Sequence, residues 1–149
     1  MIKLNDFLTL DKQLCFAVYD TAGEFNKMYT SILQPFGLTY PQYLVLLALW
    51  ENDGITAKEL GEKLRLGTGT LTPMVARMEG NGWLRKERSH QDERKVHIYL
   101  QPKAIEQKPL ITEKVIEALR TCNLELEEYK QIITMLKQLN RKLKLRKQA

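Results

Sequence analysis

A mainly α-helical chain with one small β hairpin is predicted by three observations. Apolar residues recur at spacings of three and four before residue 83 and again after residue 100. Between Trp83 and Leu100 that period gives way to alternation about a charged turn. Threonine-led caps and glycine-bearing stops fall at the junctions between these stretches.

Over residues 11–34, Leu14, Val18, Ala22, Phe25, Tyr29 and Ile32 step by three and four, which gives a long amphipathic helix ended by Pro35-Phe36-Gly37. Asp11 or Thr9 is its expected cap. Cys15 then falls in or near the first turn, where the helix dipole favours a thiolate. Thr39-Tyr40-Pro41-Gln42 is a capping box with an early proline. The next helix, with Tyr43, Leu44, Leu46, Leu47, Ala48, Leu49 and Trp50, is apolar almost all round and is expected to be the buried centre. Asn52-Asp53-Gly54 closes it.

Thr56-Ala57-Lys58-Glu59 is a second capping box, followed by Leu60 and Leu64 on one face and a stop at Leu66-Gly67. So short a helix must lean on its neighbours. In the segment 68–79, Leu71, Val75 and Met78 form an inner face, while Thr68, Thr70, Thr72, Ala76 and Arg77 form the other. Small hydroxylated side chains at a helix start let the backbone approach a phosphate or base edge, and an arginine one or two turns later can pair with phosphate. Pro73 either lies in the first turn or interrupts a helix that starts earlier and kinks, with Gly69 relieving the clash. Gly80-Asn81-Gly82 ends the helix. Residues 83–88 and 95–100 are the two strands, with Val96, Ile98 and Leu100 turned inward. Arg88 at the end of the first strand and Arg94 at the tip are the expected DNA contacts of the hairpin. Asp92 is expected to hold the Arg94 guanidinium as it enters a minor groove. Two short helices and a charged hairpin in this order make a winged helix-turn-helix over about residues 39–101.

After Leu100, Gln101-Pro102-Lys103-Ala104 opens a helical segment interrupted by Pro109, then striped by Ile111, Val115, Ile116 and Leu119. Leu126, Tyr129, Ile133, Leu136 and Leu139 continue a second stripe. A wing domain does not need so much terminal helix. The N-terminal helix (about 8–36) and the C-terminal ones (about 103–147) are therefore expected to form a dimerisation region. It would place two recognition helices on the half-sites of a pseudo-palindromic double-stranded operator. An intramolecular helical cap is the alternative.

The 149 residues are expected to form a single domain. An excess of 23 basic over 18 acidic residues fits a polyanionic partner. The basic run at 141–147 is read as a solvated helix end. Neither a membrane-length apolar run nor a secretory signal is visible, so a cytoplasmic protein is expected. Cys15 and Cys122 are read as reduced thiols rather than a disulfide framework. No metal-ligand cluster, nucleotide-binding glycine loop or Ser-His-Asp order is present, so no metal, no cofactor and no enzyme activity are expected. His90 and His97 read as phosphate-contact or solvated residues of the wing.

This order of elements resembles the MarR family of dimeric winged-helix regulators, with Asp92-Glu93-Arg94 similar to its wing motif. Leu14-Cys15-Phe16-Ala17, the stretch 38–46 and Gly69-Thr70-Leu71-Thr72-Pro73 resemble the family's organic-hydroperoxide-sensing repressors, usually called OhrR. The likeness runs from about residue 14 to residue 100. Beyond it, Gln101-Pro102-Lys103-Ala104 departs from the Thr-x-x-Gly-like helix start common in the family. The resemblance implies a homodimeric repressor that leaves DNA when Cys15 is oxidised to a sulfenic acid by an organic hydroperoxide. It also implies that Tyr19, Tyr29 and Tyr40 surround the thiol, some of them from the partner subunit. Phenol hydroxyls can stabilise a thiolate, and an apolar surround favours organic peroxides.

Taken alone, Cys15 reads as a small buried hydrophobe and Tyr29 and Tyr40 as core aromatics. The resemblance also offers Cys122 as a second thiol that bridges to Cys15 of another subunit, as in some members of the family; with no motif around it, Cys122 by itself reads as inert helix filler. Three other functions are weighed. The same fold can answer a small aromatic acid instead of an oxidant, a thiol peroxidase can use Cys15, and a basic structural protein can bind nucleic acid without sequence preference.

Overall fold

The computed structural model describes residues 1–146 in two compact units, Met1–Thr112 and a second beginning at Glu113. Lys147, the end of the basic run and of the expected dimerisation region, lies outside the described residues.

The first unit starts with two 3-10 turns, Leu4–Phe7 and Leu10–Lys12, before helix α1, Leu14–Leu33. The helix therefore starts later than the apolar spacing suggests. Thr9 is the cap of the second 3-10 turn and Gln13 that of α1, so Asp11 caps neither. The apolar stripe of α1 is covered only towards its end among the described residues: Leu14, Val18 and Phe25 are exposed, Tyr29 and Ile32 are half-buried and Leu33 is buried. Gly37, at φ 71°, turns the chain into α2, Tyr40–Glu51.

The Thr39 capping box is complete, with the hydroxyl accepting from the Gln42 amide at 3.3 Å and Gln42 Oε1 accepting from the Thr39 amide at 3.1 Å. Helix α2 is the centre of the core, as its composition requires: Tyr43, Val45, Leu46, Ala48 and Leu49 are buried and only Leu47 among its leucines is well exposed. Trp50 Nε1 donates to the Ala104 carbonyl at 3.0 Å, tying α2 to the start of the helix that follows the wing.

Helix α3 (Ala57–Leu64) is capped by Thr56, whose hydroxyl accepts from the Glu59 amide at 3.1 Å. Here the box is not reciprocal, because the Glu59 carboxylate accepts from the Thr56 hydroxyl at 3.0 Å instead of reaching the cap's backbone. The stop is also not where the glycine stands. Arg65 takes the left-handed conformation at φ 58°, and the Leu66 amide donates to Gly61 O at 2.9 Å. Gly61 earns its place by packing, since a Cβ there would stand 3.0 Å from the Leu66 carbonyl oxygen.

Helix α4, Thr68–Gly80, runs through Pro73, which lies beyond the first turn. The bond that Pro73 cannot make would go to the carbonyl of Gly69, an exposed residue that water can serve. The same reasoning corrects the expected break at Pro109. Helix α5 spans Pro102–Thr121 without interruption, and the carbonyl freed by Pro109 belongs to the exposed Ile105.

Strands β1, Leu84–Arg88, and β2, Val96–Leu100, pair antiparallel with Lys86 opposite Ile98. Trp83, Leu84 and Ile98 are fully buried against the helices. The outer edge of β2 is covered by the turn after α2, where Gly54 N donates to Ile98 O at 3.0 Å and Ile98 N to Ile55 O at 2.9 Å. In the second unit, α6 runs Leu126–Lys144 with no residue buried in the chain. Among the described residues no single helix is long and apolar enough to cross a membrane.

Candidate nucleic-acid interface and thiol site

The front of α4 is bare. Thr68, Gly69, Thr70, Thr72, Ala76 and Arg77 are all exposed, while Leu71, Met74, Val75 and Met78 hold the helix to the core. Gly67 occupies the cap, so no cap side chain closes the first amides. A Cβ at Gly67 or Gly69 would meet nothing within 4 Å, so these glycines thin the outer surface rather than admit a neighbouring element. A helix start of this kind can meet a phosphate or a base edge at backbone distance.

The wing tip is built by its own polar groups. Ser89 Oγ accepts from the Gln91 and Asp92 amides at 3.2 and 3.3 Å. Asp92 Oδ1 accepts from the Arg94 amide at 3.1 Å and from Arg94 Nε at 3.2 Å. Arg94 is 91% exposed and is held by Asp92 through Nε, so its outer nitrogens face solvent. Arg88 Nη1 donates to the Glu93 carbonyl at 2.9 Å, which fixes the base of the tip. His97 is half-buried rather than fully solvated. Its Nδ1 lies 2.9 Å from the Gly54 carbonyl, and it serves the joint between wing and body.

Between α3, the start of α4 and the strands lies a cavity of about 590 Å³ that the sequence did not announce. Lys58, Arg65, Lys86 and Arg88 stand around it with one carboxylate, Glu62, over buried Leu71 and Ile98. Three of those cations were not among the expected DNA contacts, because their convergence depends on α3 and β1 folding against each other.

Cys15 is the second residue of α1 and is exposed, so the buried-hydrophobe reading does not hold. Its Sγ lies 3.8 Å from Gln13 Oε1. Tyr19, one turn on, is 77% exposed and packs at 6.4 Å from Phe16, centroid to centroid. Tyr29 and Tyr40 meet with centroids 5.0 Å apart, and Tyr29 also stacks on Tyr43 at 5.5 Å. Within one chain this pair is not gathered around the thiol. Tyr29 follows Cys15 by fourteen residues of one helix, which at 1.5 Å per residue is about 21 Å. Cys122 is exposed in the turn after α5, its amide donating to Leu119 O at 3.1 Å. Among the described residues no group of His, Cys, Asp and Glu is placed to hold a metal.

Two short helices with a bare hydroxylated front, flanked by a cationic wing, define a winged-helix DNA-binding protein. The family described as "Transcriptional regulator SarA/Rot" matches residues 27–111. The HTH-type transcriptional regulator TtmR of Methylorubrum extorquens (strain PA1) is 52% identical over 99 residues, 66% of this chain but only 51% of that relative's length. The organic hydroperoxide resistance transcriptional regulator of Bacillus subtilis (strain 168) is 45% identical over 112 residues, covering 75% of this chain and 74% of the relative. AbfR of Staphylococcus epidermidis, solved in reduced form bound to DNA, superposes with a TM-score of 0.78 at 38% identity over 91% of this chain and 92% of that one. The same AbfR has been solved disulfide-formed, with a TM-score of 0.65 at 37% identity over 91% of this chain and 90% of that one. The chain belongs to the SarA/Rot/MarR-type family of winged-helix transcription regulators. It is a DNA-binding transcriptional regulator, as these relatives are.

Proposed function

We propose that this regulator acts as a homodimeric repressor on a pseudo-palindromic operator and leaves it when an organic hydroperoxide oxidises Cys15. The observation that carries the reading is the separation of that thiol from the tyrosine pair. Tyr29 and Tyr40 stack on each other at the far end of α1 from Cys15, about 21 Å along the axis. They can serve a thiol only if it comes from a second copy. The exposed apolar faces of α1 (Leu14, Val18, Phe25) and of α6 (Leu126, Met135, Leu136) supply surfaces for that copy to cover.

The chemistry follows from the residues. The Cys15 thiolate attacks the outer peroxide oxygen, the O–O bond breaks, the alkoxide leaves and takes up a proton as the alcohol, and the sulfur becomes a sulfenic acid. Hydrogen bonds from Tyr19, and from Tyr29 and Tyr40 of the other copy, stabilise the thiolate and not the oxidised sulfur. Their loss biases the dimer away from the DNA-bound arrangement. The names of the Bacillus subtilis relative and of reduced AbfR on DNA support this reading. Thr68, Thr70, Thr72 and Arg77 face the major groove, and Arg88 and the Asp92–Arg94 pair the flanking minor groove. Cys122 is the candidate second thiol, a role in keeping with the disulfide-formed AbfR.

A mobility shift on the DNA upstream of the protein's own gene tests the proposal. Reduced protein should bind specifically, one equivalent of organic hydroperoxide should abolish the shift, and dithiothreitol should restore it. Binding that survives peroxide removes the thiol switch. Non-reducing electrophoresis then assigns Cys122: a covalent dimer that Cys122→Ser abolishes makes it the second thiol.

The cavity favours one other reading. Its volume suits a small molecule, and its cations over an apolar base suit an aromatic acid. Release by such a ligand in Cys15→Ser protein would move the signal there.

A further inference from the structure

We infer that Glu79 is the positioning residue of the wing, setting where the hairpin meets DNA without touching DNA itself. It stands in the last turn of α4, where the helix dipole disfavours an acidic side chain, and on an element that meets a polyanion. Both effects count against a carboxylate at this place. Its Oε2 accepts the backbone N–H of Lys86 at 2.8 Å, and its Oε1 lies 3.8 Å from Lys86 Nζ.

Lys86 is the middle residue of β1, and its amide points away from β2. β1 is the free edge of a two-stranded sheet, so this amide has no ladder partner. The Glu79 carboxylate supplies one through a charge-assisted bond. β2 is held on its other side by the turn after α2. The recognition helix therefore grips one edge of the wing and the core grips the other. Arg88 lies two residues beyond the anchored amide, and Asp92 and Arg94 lie at the tip that Arg88 braces. Without the anchor, β1 is still held by its pairing to β2, by buried Trp83 and Leu84 and by the link through Asn81-Gly82-Trp83, but the middle of its free edge is no longer tied to the recognition helix, and the angle between helix and wing loosens.

The inference rests on the reading that the wing contacts DNA. Its test compares Glu79→Ala, Glu79→Gln and Arg94→Ala on a duplex selected by the wild-type protein from a random pool, and on an unrelated duplex at the same salt. Positioning predicts that Glu79→Ala loses about 10-fold in the ratio of specific to non-specific affinity. It should also lose hydroxyl-radical protection at the flanks while keeping it at the centre. Glu79→Gln should stay near wild type, because its amide oxygen can still accept from Lys86. Partial unfolding would lower both affinities and leave their ratio unchanged.

Simple removal of a negative charge predicts the reverse: both variants bind all DNA more tightly, a result that overturns the inference. Equal weakening by Ala and Gln overturns it too, because the charge and not the accepted bond would then matter. If Arg94→Ala loses flanking protection and Glu79→Ala keeps it, positioning by Glu79 fails alone. If Arg94→Ala changes nothing, the wing reading fails and takes the inference with it.

Discussion

Asp53 Oδ1 accepts the backbone N–H of Leu100 at 2.8 Å, so the turn that ends α2 grips the residue that ends the wing. The grip is reinforced by His97 on the Gly54 carbonyl at 2.9 Å and by Gly54 itself. At φ 79° Gly54 holds a conformation that few side chains adopt, and a Cβ there would stand 2.8 Å from Tyr99 Cε1. α2 thus carries Tyr40 at its start and the wing at its end.

Gly54→Ala should destabilise the protein by about 1–3 kcal/mol, from backbone strain and the clash with Tyr99. Tyr99 cannot swing away freely, because the Arg85 guanidinium lies 4.5 Å over its ring. Asp53→Ala should cost about 1 kcal/mol, the worth of an exposed bond to a charged group, and Asp53→Asn less. Urea unfolding measures all three, and a neutral Gly54→Ala would show that the turn does not clamp the wing.

The Arg85 guanidinium, hydrogen-bonded to Glu87, holds that carboxyl below its usual 4.5, with its charge as the next cause. A group whose folded value is depressed adds stability above its unfolded value and loses it as pH falls through the folded value. The window therefore lies at and below about pH 4.5, and neutral pH is unaffected. In a carbon-detected NMR titration Glu87 should protonate below its usual 4.5, and in Arg85→Ala its midpoint should rise. Identical midpoints in the two proteins would exclude the pair.

On DNA, Arg77→Ala should weaken binding to all sequences and reduce the log–log salt slope by about 1, whereas Arg94→Ala should weaken the specific duplex more than an unrelated one, as loss of a minor-groove contact requires. Thr70→Ala and Thr72→Ala should instead change the preference among bases with little effect on the slope. A salt slope unchanged in Arg77→Ala would take that side chain off the phosphates, and equal weakening of both duplexes by Arg94→Ala would take Arg94 out of the minor groove.

Much of this was legible in the sequence because local chemistry settles it. The Thr39 box and the Gly37 and Gly82 turns are each decided within a few residues, and each forms as expected; the alternation of β2 does not, since Ile98 is buried while Val96, His97, Tyr99 and Leu100 are all half-buried. What failed locally was overridden by exposure: Pro73 and Pro109 stay inside helices because the carbonyls they free face water. Arg65 in the left-handed region was invisible, because Gly67, two residues on, looked like the natural stop. Features made by distant residues were out of reach. Glu79 on the Lys86 amide and Trp50 on the Ala104 carbonyl have no local signature. Of the three tyrosines only Tyr29 and Tyr40 meet, and their distance from Cys15 appears only once the length of α1 is laid out.

The thiol switch is most directly tested by a peroxide titration of DNA binding with wild-type and Cys15→Ser protein, each followed by mobility shift on one specific duplex. The account predicts equal affinity in the reduced state, release of wild type near one equivalent of organic hydroperoxide per subunit, and no release of Cys15→Ser at tenfold excess. Release of Cys15→Ser at the same dose as wild type would contradict it.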